Sequence, residues 1–227
     1  MYYFPRHKLG FIHVPKAGGT SFYEFLNRVM RERGDPEQEI TRDLYHEPIG
    51  NKRDVLGVER FSESTFVTTI RNPYAVVVSL YFWSKRKVDE QHPDLATYPA
   101  TETIAAMDFP AYVRWYVENE PAFEHYLLVD GAIPANLRVL RLEDVSAEAD
   151  RVLNGELGLG VDTRIGVSGT TRSLHAPALS YLTIEDVDLV KRKYAWAFGR
   201  YYPAQRLGAP LMRPLHAAAL GVLAVLR

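Results

Sequence analysis

Cysteine is absent from this chain of 227 residues, which excludes disulfides, thiolate metal sites and cysteine nucleophiles. Long hydrophobic runs are absent as well. The longest apolar stretch, Leu215–Leu226, contains His216 and Gly221 and is shorter than the ~18 apolar residues that a membrane span requires. We therefore expect no membrane span. The stretch predicts a helical C-terminal tail over residues 206–227, with shallow contact with a membrane surface as the alternative.

An excess of charge of either sign is also missing, because the chain has 27 basic and 28 acidic residues and a net charge of −1. Such a balance gives no overall attraction to nucleic acid, so we expect no nucleic-acid partner. Residues 1–10 contain no apolar run of the kind that a signal peptide needs, which predicts a cytoplasmic protein. The length and the 47% content of hydrophobic residues predict one main domain over residues 1–205.

Strands alternate with helices in the sequence pattern. The apolar run Gly10–Val14 predicts a strand, and a helix follows from Thr20. The β-branched run Phe66–Ile70 predicts a second strand, after which Asn72 is suited to cap a helix. This alternation predicts an α/β fold with a central parallel sheet flanked by helices.

Two later segments extend the same pattern. A third strand is predicted at Leu137–Leu140, with Ser146 capping the helix that follows. Thr183 and Asp186 have the spacing of a capping box, and the apolar residues after them share one helix face as far as Phe198.

The strongest local motif lies between the first predicted strand and helix and is called here the glycine loop (Lys16–Ser21). Gly18 and Gly19 allow backbone N–H groups to approach an anion closely, and Lys16 adds a positive charge. A nucleotide triphosphatase loop has its lysine after the glycines, whereas Lys16 precedes them here. The motif thus predicts a phosphate site of another type, with a simple tight turn as the alternative.

A second phosphate site is indicated by Arg71, which follows the second strand, and by Ser79. The eight residues between them are a little over two helical turns, so Ser79 lies near the side of the helix start. An arginine and a hydroxyl at one place suit a phosphate group.

Together these motifs resemble those of sulfotransferases that use 3′-phosphoadenosine 5′-phosphosulfate (PAPS), in particular the carbohydrate-type, family 2-like bacterial branch. Phe11–Ser21 is similar to that family's segment for the 5′-phosphosulfate, and Thr69–Tyr81 is similar to its 3′-phosphate segment. Leu140–Asp144 and Tyr194–Pro203 show a weaker similarity. The resemblance covers the chain from Phe11 to Pro203 and implies a P-loop-related α/β sandwich.

The resemblance also implies an activity, the transfer of a sulfuryl group from PAPS to a hydroxyl or amine of an acceptor, with PAP as product and without a metal. Lys16 would neutralise charge on the leaving phosphate oxygen. The residues that it assigns to nucleotide binding are Lys16, Ala17, Gly18, Gly19, Thr20, Ser21, Arg71, Ser79 and Arg172. The acceptor class is predicted to be a carbohydrate or another small molecule.

A base must remove the proton of the acceptor, and His46 is the favoured candidate because an imidazole suits proton abstraction near neutral pH. Glu47 is the second candidate, and His13 is a weaker one. Another reading of His46 is a loop histidine that hydrogen-bonds to the backbone. Two further functions stay open: a PAP- or glycan-binding module without catalysis, and a P-loop kinase that needs ATP and Mg²⁺.

Overall fold

The computed structural model describes residues 2–36, 38–39, 46–91, 100–165 and 177–203. The predicted tail at 206–227 and Arg172 lie outside these residues. The strands are β1 (Tyr2–Phe4), β2 (Leu9–Ile12), β3 (Gln38–Glu39), β4 (Thr65–Ile70) and β5 (Leu137–Arg141). The α-helices are α1 (Gly19–Glu32), α2 (Ile49–Leu56), α3 (Val58–Ser62), α4 (Pro73–Asp89), α5 (Thr101–Ala106), α6 (Phe109–Asn119), α7 (Phe123–Leu127), α8 (Val145–Ala149), α9 (Ile184–Lys193) and α10 (Ala195–Tyr201).

The five strands form one open sheet in the order β3-β1-β2-β4-β5. The strands β2, β4 and β5 are parallel, with Ile12 opposite Thr68 and Ile70 opposite Arg141. The strand β1 runs antiparallel to both β2 and β3. The prediction of an α/β fold with a parallel sheet is confirmed for β2, β4 and β5, whereas the antiparallel N-terminal strands were not predicted.

The chain divides into two compact units. The first comprises residues 1–71 and 122–170 and includes the whole sheet. In its core, α1 contributes Phe22 and Leu26, which pack with Phe11 of β2 and Val67 of β4. Each such side chain, when fully buried, stabilises the fold by about 1.5–3 kcal/mol. On the opposite face of the sheet, the ring of Phe61 in α3 stacks on Phe66 of β4.

The second unit comprises residues 72–121 and 171–227, and its described part is helical apart from the connections. The hydroxyl of Tyr112 in α6 donates to the carbonyl of Val77 in α4 at 2.8 Å. The hydroxyls of Tyr116 and Tyr194 lie 2.6 Å apart and join α6 to the end of α9. These buried bonds connect the three longest helices of the unit.

Several local predictions are confirmed in detail. Asn72 caps α4, because its side-chain oxygen accepts a hydrogen bond from the N–H of Tyr74 at 3.0 Å. Thr183 and Asp186 form the predicted capping box at the start of α9. The apolar face from α9 to Phe198 belongs to two helices, because α9 ends before Tyr194 and α10 begins at Ala195.

The prediction that Ser146 caps a helix is wrong. Helical structure begins earlier, with a 3₁₀ turn at Leu142–Asp144, and α8 starts at Val145. The hydroxyl of Ser146 accepts a hydrogen bond from the N–H of Ile165 at 3.3 Å. Its partner is thus 19 residues away in the chain, a contact that no local pattern indicates.

Candidate functional site

The glycine loop connects β2 to α1 through an unusual backbone path. Lys16 has a φ of 57° and Gly18 a φ of 77°, and positive φ is rare for a residue with a side chain. A Cβ atom on Gly18 would also lie 2.4 Å from Cδ1 of Leu142, which follows β5. Where a residue in the left-handed conformation adjoins one in the right-handed conformation, their backbone N–H groups point toward a common centre. Such an arrangement binds anions.

The first turn of α1 differs from the starts of the other long helices. Side chains cap α4, α6 and α9, namely Asn72, Asp108 and Thr183. The start of α1 has no side-chain cap bond and no acidic residue in its first turn. The first intrahelical bond is donated by Phe22 N–H to the Gly18 carbonyl at 3.2 Å. The N–H groups of residues 19–21 precede it and point along the helix axis toward the loop.

Two histidines lie beside the glycine loop. The Nδ1 atom of His46 is 3.1 Å from the carbonyl oxygen of His13. Since a carbonyl only accepts, Nδ1 of His46 carries the proton and the lone pair of the neutral ring is on Nε2. The two rings meet edge to face, with centroids 4.6 Å apart at 70°. The backbone-bonded reading of His46 is thus compatible with a role as base.

The pKa values of both histidines lie below the usual one. Burial, followed by the proximity of His46 and Lys16, lowers the pKa of His13 to about 3. Burial is also the largest cause that lowers the pKa of His46, and the hydrogen bond to the His13 carbonyl opposes it. Both rings are therefore neutral near pH 7, and only His46 is partly exposed. This favours His46 over His13 as an acceptor of protons.

Glu47, the second candidate base, is buried and forms an ion pair with Lys52, whose side chain is buried as well. Burial lowers the pKa of Lys52 to about 8. The carboxylate of Glu47 is thus engaged by Lys52, whereas Nε2 of His46 carries a lone pair, so the geometry favours His46 as the base. The pair anchors the start of α2 immediately after His46.

Arg71 follows the carboxyl end of β4, and the glycine loop follows that of β2. Because β2 and β4 are adjacent and parallel, both segments leave the sheet at the same edge, where ligands of open α/β sheets bind. Ser79 is a buried residue of α4 in the second unit. Arg172 is not among the described residues, so its assignment stays a prediction.

Sequence reasoning missed the packing of His13 and Leu142 against the glycine loop. A Cβ atom on Gly19 would lie 2.0 Å from Cδ2 of His13, so the imidazole occupies the space that a side chain would fill. The sequence indicates this contact only through Gly18 and Gly19, a pair of consecutive glycines shortly after His13. The loop glycines therefore accommodate protein side chains as well as a left-handed turn.

Comparison of the chain with models of known protein families and with curated protein sequences finds no match. Among the residues that the structure describes, no helix combines the length and the apolar character needed to cross a membrane. The same residues include no cluster of three or more His, Asp or Glu side chains suited to hold a metal ion. The proposals below consequently depend on the geometry of the site and on the sequence motifs.

Proposed function

We propose that this chain is a PAPS-dependent sulfotransferase that acts on a hydroxyl or amine of an acceptor of the carbohydrate type. The observation that carries the proposal is the start of α1, a helix without a side-chain cap bond, which lies with Lys16 at the sheet edge from which Arg71 also emerges. A helix start of this kind stabilises a phosphate group. The placement of lysine before the glycines differs from a triphosphate-binding loop, and the resemblance of the two motifs implies PAPS as the nucleotide.

The proposal assigns residues of this chain to the two charged ends of such a nucleotide. The glycine loop would bind the 5′-phosphate through N–H groups 18–21 and the hydroxyls of Thr20 and Ser21. Arg71 would bind the 3′-phosphate, and the assignment of Ser79 to the same phosphate stays a prediction of the sequence. A guanidinium forms two parallel hydrogen bonds with a phosphate, which gives direction as well as charge.

The reaction follows from positioning and from neutralisation of charge. When bound, PAPS would supply the sulfuryl group, which the acceptor oxygen or nitrogen would receive while PAP leaves. Lys16 stabilises the negative charge that appears on the phosphate oxygen. Nε2 of His46 accepts the proton of the acceptor, because Nδ1 is committed to the carbonyl of His13.

Binding of PAP to two matched lysine variants tests the proposal. Lys16→Asn removes the charge while keeping a residue that tolerates positive φ. Lys8→Asn is the control, because Lys8 also has a positive φ of 46° and lies at the other end of β2 in an exposed ion pair with Glu63. We expect Lys16→Asn to weaken PAP binding by roughly tenfold or more, since a hydrogen bond to a charged group contributes about 1.5–3 kcal/mol.

Thermal shifts separate the three candidate functions. A ligand at 100 times its Kd stabilises the folded state by about 2.7 kcal/mol, so PAP should raise the Tm of the wild-type chain more than ATP with Mg²⁺ does. The opposite order would support a kinase and contradict the proposal. Strong PAP binding with no sulfate transfer from PAPS to a broad panel of sugars and amines would indicate a binding module.

A further inference from the structure

His13 makes contact with the first turn of α1 through its side chain. It lies directly after β2, its side chain is buried, and its ring is 5.8 Å from that of Phe11 in the core. Because the ring fills the space beside Gly19, the start of α1 cannot move closer to the sheet at this point. The position of the N–H groups of the glycine loop thus depends on the imidazole of His13.

The same residue also holds His46, and it does so with two different groups. Its main-chain carbonyl accepts the Nδ1 proton of His46, and its ring packs edge to face against the His46 ring. The hydrogen bond determines which nitrogen carries the lone pair, and the ring contact restricts rotation of the His46 side chain. His13 is therefore in contact with both the phosphate-binding turn and the proposed base.

We propose that His13 is a positioning residue, whose imidazole sets the glycine loop and the ring of His46 at a fixed separation. This inference rests on the proposed function, in which the glycine loop holds the phosphate and His46 removes a proton. Preorganisation of this kind is effective because a displacement of about 1 Å between reacting groups can cost roughly 100-fold in rate. A neutral ring is required for the role, since a charge in the core beside Lys16 would be repelled.

Several charged and titratable side chains of the described residues lie near His46. Lys16 and His13 interact with it electrostatically, and its chain neighbour Glu47 is paired with Lys52. Removal of the His13 ring opens His46 to water without changing any of these charges. Because burial is the main cause that lowers the pKa of His46, its pKa should then rise toward the ordinary value.

The test combines an NMR titration of His46 with measurement of PAP binding, so that no acceptor is needed. We expect His13→Ala to raise the pKa of His46 toward its ordinary 6.5 and to weaken PAP binding by roughly tenfold through the loosened glycine loop. His13→Phe keeps a flat ring and the main-chain carbonyl, so it should restore both properties. Assignment of the His46 signal follows from its loss in His46→Gln.

Asp35→Asn is the control for a purely structural effect. Asp35 is buried beyond the far end of α1, where its carboxylate accepts hydrogen bonds from the N–H groups of Arg6 and His7. The variant should destabilise the fold and leave the titration of His46 unchanged. An equal change in Asp35→Asn and His13→Ala would overturn the inference, as would wild-type behaviour of both properties in His13→Ala.

The wild-type spectrum gives a second, independent readout. The ¹⁵N shifts of His46 must show the tautomer with the proton on Nδ1, and an Nε2 proton would refute the inference even if no His13 variant folded. Failure of PAP to bind the wild-type chain would contradict the proposed function alone. In that case the tautomer and the titration of His46 would still decide whether His13 positions it.

Discussion

Thr68 and Thr69 are consecutive, fully buried residues of β4 that differ in their hydrogen bonding. The hydroxyl of Thr68 donates to the carbonyl of Ile12 at 2.8 Å and joins β4 to β2. Among the described residues, no group forms a hydrogen bond with the hydroxyl of Thr69. A buried hydroxyl without a partner destabilises the folded state, because it loses its bonds to water.

Substitution of each threonine by valine should therefore have effects of opposite sign. Thr68→Val is expected to lower the free energy of unfolding by about 1 kcal/mol through the lost hydrogen bond. Thr69→Val replaces a hydroxyl by a methyl group of similar size, so the free energy of unfolding should stay equal or rise by up to about 1 kcal/mol. Urea unfolding measures both values. An equal loss in the two variants would show that Thr69 has a partner after all.

At the scale of single elements, the start of α1 depends on Gly19. A Cβ atom there would lie 2.0 and 2.3 Å from two ring atoms of His13, so alanine would force the imidazole out of its place. Gly50 in α2 provides a matched comparison, because a Cβ atom added there meets nothing within 4 Å. Both glycines lie in an α-helix, so they differ in the atoms that surround them and not in secondary structure.

A double-mutant cycle tests this dependence. We expect Gly19→Ala to lower the free energy of unfolding by about 1–3 kcal/mol through overpacking, whereas Gly50→Ala should raise it by about 0.5–1 kcal/mol. In the His13→Ala background the added methyl group has room, so the penalty of Gly19→Ala should disappear there. Additive losses in the double variant would contradict the contact, because independent sites add within about 0.5 kcal/mol.

The elements that the sequence predicted well are those whose signals lie within a few residues of each other. Asn72 with Pro73, and Thr183 with Asp186, are local combinations, and each begins a helix as predicted. The cap at Ser146 failed because its hydroxyl is used by Ile165. The strand β1 was missed because its pairing with β2 depends on a partner strand rather than on an alternating pattern.

The site shows the same division between local and distant information. The glycine loop could be recognised because its lysine, glycines and hydroxyls are contiguous in the chain. The bond from His46 to the His13 carbonyl spans 33 residues. The ion pair of Glu47 with Lys52 bears on the choice of base only because both side chains are buried, which the sequence does not show. Burial and ring packing decide which candidate base is suitable, and neither property is encoded in residue spacing.

At the scale of the whole molecule, the net charge is −1 at pH 7. A small decrease in pH from this value therefore creates no large net charge. The stability of the fold near neutral pH therefore depends on a few buried groups rather than on general repulsion. His13 and His46 are such groups, because burial lowers the pKa of both. Both histidines regain ordinary values near 6.5 in the unfolded chain.

The sign of the pH effect follows from these pKa values. Below pH 6.5 the unfolded chain binds a proton at His13, and the folded protein does not until the pH approaches about 3. The contribution of His13 to the free energy of unfolding is thus fully present above pH 6.5. It is lost as the pH falls, by up to about 1.4 kcal/mol per pH unit for one proton. His46 adds a smaller contribution of the same sign.

Urea unfolding between pH 5 and 6.5 isolates this effect, because carboxyl groups of an unfolded chain, with pKa values of about 4, bind few protons in that range. The slope of the unfolding free energy against pH measures how many protons are taken up on unfolding. We expect this number to fall by close to one in His13→Phe, whose ring cannot be protonated. His125→Gln is the control, because the side chain of His125 is exposed, and its slope should match that of the wild type. An unchanged slope in His13→Phe would show that His13 is protonated in the folded protein, and a neutral buried ring could then no longer explain how the glycine loop and His46 are held together.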